Sequence, residues 1–457
     1  MKLLSLKTSI FIYIFFSQIV LSQTAINVIQ SNNLEQVIVN KTIFQKFSGN
    51  VIIEYSDLKI NCDTVIISEN KQKIQAWGGV KIYNDTLTCN SDSININRLN
   101  NKMTFYKNTQ VKTKNMTIIS DNINYNYKKK YLKYSNGGTV KTNDYQISSE
   151  VFKYNFEKQI SEFYNKIHLF NNKHIINGDS LMYNQKEAAF NMSSNINVTY
   201  DNKVITAKHL NRDIEKNENQ FYKNIHITID KNRNIFGEKL IQKNETSIMT
   251  ENCQIHLKNE NQLTIIKGDT ISMNKNEDLE VKNNVIIKGT EIKGICQKMT
   301  FQSEYSEIFM FNSPVLWLNN TQIHGDRINL FSIQNQLDSI YIPSNPFIIV
   351  PVDSSEFYHQ IKGKYLTGRF TNNKINYIDL IGNGEMKYFN QTNDIIGINN
   401  IKTSSIKLLF KENQLEKIIC YDQIDSDYQE IKEDKIQKVK KDVIYIDGFQ
   451  LKENKTF

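Results

Sequence analysis

Asp63, Asp92, Asp121, Glu150, Asp179 and Lys208 follow one another at a constant interval of 29 residues, and Glu238, Asp269, Gln297 and Asp326 extend the series in steps of 28 to 31. A fixed interval of this length marks a repeat array, in which each unit is one supersecondary piece that buries its apolar face only by stacking on its neighbours. The repeats align as turn, short run, turn and longer alternating run: GNVIIEYSDLKINCDTVII (49–67), GGVKIYNDTLTCNSDSINI (78–96), NTQVKTKNMTIISDNINYN (108–126) and GGTVKTNDYQISSEVFKYN (137–155). KIHLFNNKHIINGDSLMYN (166–184) and NINVTYDNKVITAKHLNRD (195–213) continue the register, with looser copies beginning near Asn224, Asn252, Asn283 and Ser313. The interval argues against a string of unrelated β domains.

Within each unit the side chains alternate at close to period two, which selects strand over helix. In TCNSDSINI this puts Ile94 and Ile96 on one face and Ser93 and Asn95 on the other. Strands such as Val51 to Tyr55, Leu58 to Asn61 and Val65 to Ile67 are too short to bury an apolar face alone. Glycine pairs at 78–79 and 137–138, and asparagine pairs at 100–101, 171–172 and 283–284, supply residues that tolerate the positive φ of tight turns. The 24 Phe and 23 Tyr suit half-buried strands, and the 4 prolines (Pro314, Pro343, Pro346, Pro351) sit in one stretch, leaving the rest free for continuous sheet. The expected fold is all-β, repetitive, antiparallel and elongated.

The amino terminus reads as a secretory leader over 1–22: Lys2 and Lys7 precede the apolar run Ile10 to Phe16, followed by Ile19, Val20, Leu21 and the small Ser22, with cleavage expected before Gln23. No cysteine follows that run, so no lipid anchor is indicated, and no later apolar run approaches 18 residues. A soluble exported protein is the expectation. Net charge +8 is spread over lysines interleaved with acids, which is not the concentrated patch that nucleic acid requires. The densest run, Lys432 to Lys441, reads as a solvated face that anionic lipid would also attract. Five cysteines are too few for a disulfide scaffold; Cys62 and Cys89 read as small buried apolar residues in preference to a bridge between adjacent repeats. Scattered histidines and the absence of CxxC or HxxxH spacing give no zinc signal, and no metal or cofactor is expected.

The recurrent acid does not belong to a calcium loop of the D-x-[DN]-x-[DN]-G type, and Lys208 and Gln297 occupy the same register position, so a turn or hydrogen-bonding role is expected of it. No nucleophile, base and orienter can be nominated, and no catalytic residue is expected.

FSGNVIIEYSDLKINCDTVIIS and WGGVKIYNDTLTCNSDSININ, with their GNV-type start and alternating strand containing D-x-[IL], resemble the OstA-like family. This is the family of the periplasmic lipopolysaccharide transport protein and of the organic solvent tolerance protein amino-terminal domain. The resemblance covers about residues 36 to 335. GDRINLFSIQNQLDSIYI (325–342), QIKGKYLTGRF (360–370) and IDLIGNGEMKYF (378–389) resemble its long, Bacteroidetes-type form. The resemblance implies two antiparallel sheets folded together as an open, V-shaped jelly roll. Acyl chains of lipopolysaccharide or another envelope lipid would lie in its apolar groove, and exposed strand edges would join inner-membrane export components and an outer-membrane translocon.

It implies a periplasmic location, with association to the outer membrane, and a non-enzymatic bridge. A structural or assembly scaffold that binds proteins by strand-edge pairing is the alternative, and an exported polysaccharide hydrolase ranks below both. By parity the candidate groove residues are Val51, Ile53, Ile60, Val65, Ile67, Val80, Ile82, Leu87, Ile94, Ile96, Ile118, Ile123, Ile147, Phe152, Ile167, Leu169, Ile176 and Leu181. The same residues would also build a closed, dry core. Trp77 and Trp317, at repeat turns, are candidates for the groove mouth or for covering sheet edges. The organisation expected is OstA-like repeats over 23–342, a proline-containing joint at 343–360, further OstA-like strands over 361–430 and a polar tail, with or without a short helix, over 431–457.

Overall fold

The computed structural model describes residues 26–453, apart from 40–41, 172–173, 202, 260–261, 303–305, 334–335, 353–354, 393–394 and 433–439. The expected leader at 1–22 lies outside the described residues. Apart from one short helix, Lys441–Ile444, the regular structure described is β-strand, and the pairings are antiparallel. The chain is all-β and repetitive, as the period requires. It divides into two units, Met1–Asn143 and Asp144–Phe457.

In the first unit Thr42–Tyr55 pairs with Leu58–Ser68, and Lys73–Tyr83, Leu87–Asn97, Lys102–Thr113 and Thr117–Asn126 follow in order. Each of these ladders breaks once, always at one level. Ser48 faces Thr64 and Val51 faces Cys62, so Gly49 and Asn50 together oppose the single residue Asp63. Gly78 and Gly79 oppose Asp63 on one side and Asp92 on the other, and Lys107 and Asn108 oppose Asp92 and Asp121. All six residues on the two-residue side are left-handed, with φ of 81° and 50°, 84° and 61°, and 59° and 48°. A two-against-one bulge with consecutive left-handed residues bends the strand sharply. The series of acids 29 residues apart is therefore the single-residue side of a corner.

The second unit repeats the device. Asn165 and Lys166 oppose Asp179, Ser194 and Asn195 oppose Lys208, Lys223 and Asn224 oppose Glu238, Glu251 and Asn252 oppose Asp269, and Asn283 and Asn284 oppose Gln297. The corners run on to Gly382 and Asn383, which oppose Ser404 in the long hairpin of Lys374–Thr392 and Ile395–Lys411.

The bend explains the burial pattern. Leu58–Ser68 buries Leu58, Ile60 and Cys62 before its corner residue and Val65 and Ile67 after it, a switch of parity across Asp63 that keeps apolar side chains on the concave side. The hairpin ends of the two halves then meet. The Tyr55 hydroxyl, at one hairpin, donates to that of Tyr127, at a hairpin of the other half, at 2.7 Å.

Two expectations about the carboxyl-terminal third differ from the structure. The stretch 343–360 contains strands Phe347–Pro351 and Tyr358–Lys362, which pair with each other and continue the sheet. Pro343 and Pro346 flank a corner, where the ladder is already interrupted and a missing N–H costs little. Beyond strand Asp425–Lys432, described residues 440–453 are docked on the convex face of the sheet. Ile446 packs with Phe347, Ile349, Tyr358 and Phe449, while Val443 and Ile444 pack on Phe389, Ile396 and Ile398. The buried Gln360 side chain donates to the Ile444 carbonyl and accepts from the Ile446 N–H, each at 2.8 Å.

Candidate functional site

The side of each unit opposite the corners is a mouth between two rows of hairpins, and its character is set by two repeat positions. The inward position five residues before the corner residue holds Leu58, Leu87, Met116 and Tyr145 in successive repeats, then His174, Lys203, Arg233 and Thr264. The inward position four residues after it holds Ile67, Ile96, Tyr125, Tyr154 and Tyr183, then Arg212 and Gln242. Where both positions are apolar, the mouth is filled. In the first unit the Tyr55 and Tyr127 rings meet edge to face at 5.6 Å, and the Arg98 guanidinium lies 5.6 Å from the Tyr55 ring centre.

Where the positions turn polar, in the second unit, space opens behind polar bridges. Lys203 pairs with Glu277 at 2.7 Å, and Gln242 donates to the Tyr200 hydroxyl at 3.3 Å. Asn373 donates to Gln262 at 3.2 Å, and Asn413 to Glu291 at 2.8 Å. Behind them lie two cavities. One, of about 420 Å³, has Leu257, Ile266, Ile287, Met299, Ile308 and Leu330 among its lining, with Arg233, Lys258 and Glu291 at the rim. The other, of about 780 Å³, has Ile176, Val198, Leu210 and Phe221 as an apolar floor, with Tyr145, His174, Tyr200, Arg212 and Gln242 above.

All eighteen groove candidates are buried, from 0 to 7 % exposed. They are packed as core. Ile176 alone among them lines the larger cavity, and none lines the apolar one. The cavity-lining residues from Leu257 to Leu337 escaped the sequence reading because their repeats are looser. The signal available was the change from Leu58 and Leu87 to Lys203, Arg233 and Thr264 at one register position.

Trp77, 37 % exposed, flanks the corner glycines, and Trp317, 3 % exposed, sits in strand Val315–Leu318; neither lines either mouth cavity. All five cysteines are free. Strand Lys73–Tyr83 lies between those of Cys62 and Cys89, which separates them by two strand spacings, about 9.6 Å, beyond disulfide reach. Burial pushes both thiols up to about 12. No group of His, Cys, Asp and Glu able to hold a metal ion occurs among the described residues.

The corner acids act within the fold. Asn108 donates to Asp92 at 3.0 Å, Asn195 to Asp179 at 2.6 Å and Asn284 to Asp269 at 2.9 Å, while Ser344 and Asn345 each donate to Asp326 at 2.8 Å. They satisfy the backbone-bending pairs opposite them.

Over residues 23–179 the sequence matches the model of the family described as OstA-like protein. Residues 23–179 are OstA-like. No curated protein matches the sequence. Among solved structures, that of LptH, described as the LptA homologous periplasmic component of the conserved lipopolysaccharide transport device from Pseudomonas aeruginosa, matches with 10 % identity. The match covers 24 % of this chain and 82 % of that one at a TM-score of 0.23. The OstA-like region lies within the regular 29-residue repeats; the apolar mouth cavity lies beyond it in the looser copies, and the larger one spans the last regular repeats and the first looser ones.

Proposed function

We propose that this protein is a periplasmic, non-enzymatic carrier that holds acyl chains of lipopolysaccharide or a related envelope lipid between its two folded half-sheets, as part of a bridge toward the outer membrane. The observation that carries the reading is the apolar cavity behind the mouth of the second unit, lined by Ile266, Ile287, Met299 and Leu330. Each methylene moved there from water is worth about 0.8 kcal/mol. A row of modest sites of this kind suits passage, since a single very deep site would trap its cargo. The OstA-like region and the leader-like amino terminus support the family role and the location.

Partner joining is proposed to use the sheet edges. Strand Asn33–Val39 pairs with Thr42–Tyr55 and exposes Leu34 and Ile38, while Asp425–Lys432 is almost wholly exposed. Each has one strand partner among the described residues, and an open sheet edge accepts a strand from another protein.

A second reading, a scaffold that binds proteins by its edges, is favoured for the first unit by its packed interior. Photocrosslinking in intact cells separates the two, with probes at Ile266 and Leu330, at Ile53, Ile96, Ile123 and Leu181, and controls at Ser93 and Asn95. Lipid adducts at Ile266 and Leu330 and none at the controls are expected. An exported, folded protein that yields no lipid adduct at any inward position would leave only the scaffold.

A further inference from the structure

We propose that Arg212 forms an oxyanion subsite at the mouth of the second unit, selecting amphiphiles with an anionic head. This inference rests on the carrier reading and names the head its cargo carries. Arg212 occupies an inward position that Ile67 and Ile96 fill in earlier repeats, in step with the buried Leu210 on strand Lys203–Asp213. An arginine on an apolar inner face needs a partner for its charge. Its partners among the described residues are neutral: Nη1 donates to Asn219 Oδ1 at 2.6 Å and Nη2 to Asn217 Oδ1 at 3.1 Å.

The other cations around the same cavity are paired with carboxylates, Lys203 with Glu277 at 2.7 Å and Lys275 with Glu245 at 2.8 Å. Asp201 also lines the cavity. The two carboxamides hold the guanidinium fork in place without neutralising it and leave donors over for an incoming group. A planar fork fixed this way matches phosphate or carboxylate oxygens. The surroundings suit an amphiphile, with Ile176, Val198, Leu210 and Phe221 below for the chain and the side chains of Tyr200, Gln242 and Ser247 above for hydroxyls on the head. The about 780 Å³ of space admits such a head together with the first part of its chain.

The test is titration calorimetry on the full mature chain with dodecyl phosphate and dodecyl maltoside, each below its micelle concentration. The wild type is expected to prefer the phosphate by about tenfold or more, the effect of one charge-assisted contact. Arg212→Gln should erase the preference and leave maltoside binding unchanged. Asn219→Asp, which keeps the arginine but supplies it with a carboxylate, should do the same, and it carries the test if the first variant fails to fold. Equal binding of both amphiphiles by the wild type, or a preference that survives both substitutions, overturns the subsite and leaves the carrier reading standing. Binding of neither amphiphile overturns both.

Discussion

The side-chain amide of Asn195 donates to the carboxylate of Asp179 at 2.6 Å, and Asn108 makes the same bond to Asp92 at 3.0 Å. In both cases the donor is the second left-handed residue of a corner and the acceptor is the single residue opposite. Asn195 has φ of 52°, which a β-branched side chain tolerates poorly. Asn195→Val is expected to destabilise the second unit by about 2 kcal/mol, through strain and loss of the bond. Asn195→Gly, which keeps the conformation and loses only an exposed bond, should cost under about 1 kcal/mol. Urea unfolding, with hydrogen exchange over 177–197 as the local readout, checks the pair; equal effects would mean that the corner does not depend on the left-handed residue.

Gly78 and Gly79 stand side by side at a corner yet should respond differently to alanine. A Cβ on Gly78, at φ of 84°, would come within 2.4 Å of the Asp63 carboxylate, whereas one on Gly79, at φ of 61°, meets nothing within 4 Å. Gly79→Ala should cost about 1 kcal/mol for its backbone alone. Gly78→Ala should cost distinctly more, because Asp63 must move as well. Denaturation midpoints of the two variants decide it.

The docked carboxyl-terminal segment depends on Gln360, which both donates to Ile444 and accepts from Ile446. Gln360→Ala leaves a carbonyl and an N–H without these partners, at a cost of about 1–3 kcal/mol. The loss should fall on the segment before the sheet. Faster tryptic cleavage at Lys440 and Lys441, with strand exchange protection unchanged, is the expected signature.

His324 carries a pH dependence. Its ring stacks on Phe347 at 5.2 Å, its Nε2 is buried without a hydrogen-bond partner among the described residues, and burial, assisted by Lys452, pushes it down from 6.5 to about 4. The unfolded chain takes up a proton near pH 6.5, whereas the folded one does so only near 4. The unfolded state therefore binds more protons in that window, so this contribution to stability is complete above about pH 6.5 and is lost as pH falls toward 4. His324→Phe keeps the stacked ring and should lose less stability than the wild type between pH 7 and pH 5, as read from urea midpoints. Parallel losses would show that His324 takes up its proton in the folded protein as readily as in the unfolded chain.

The sequence by itself determined the repeat, the period-two alternation and the pairs that take positive φ, although those pairs, expected in tight turns between short strands, lie as corners within continuous ones. These are local: left-handed pairs such as Gly78–Gly79 and Asn283–Asn284 bend each strand, and alternation around Asp63 or Asp92 keeps one parity on the concave side. All eighteen candidates chosen by parity are buried for that reason. The tertiary structure decided which parts of the interior are filled, where the mouth closes over space and what covers the last strands. Those outcomes depend on partners far apart in the chain, such as Asn413 on Glu291 across 122 residues and Ile446 on Gln360 across 86. Periodicity records what each residue does to its own backbone. Whether two hairpin rows meet, and over what, is set by side chains whose only common reference is the folded sheet.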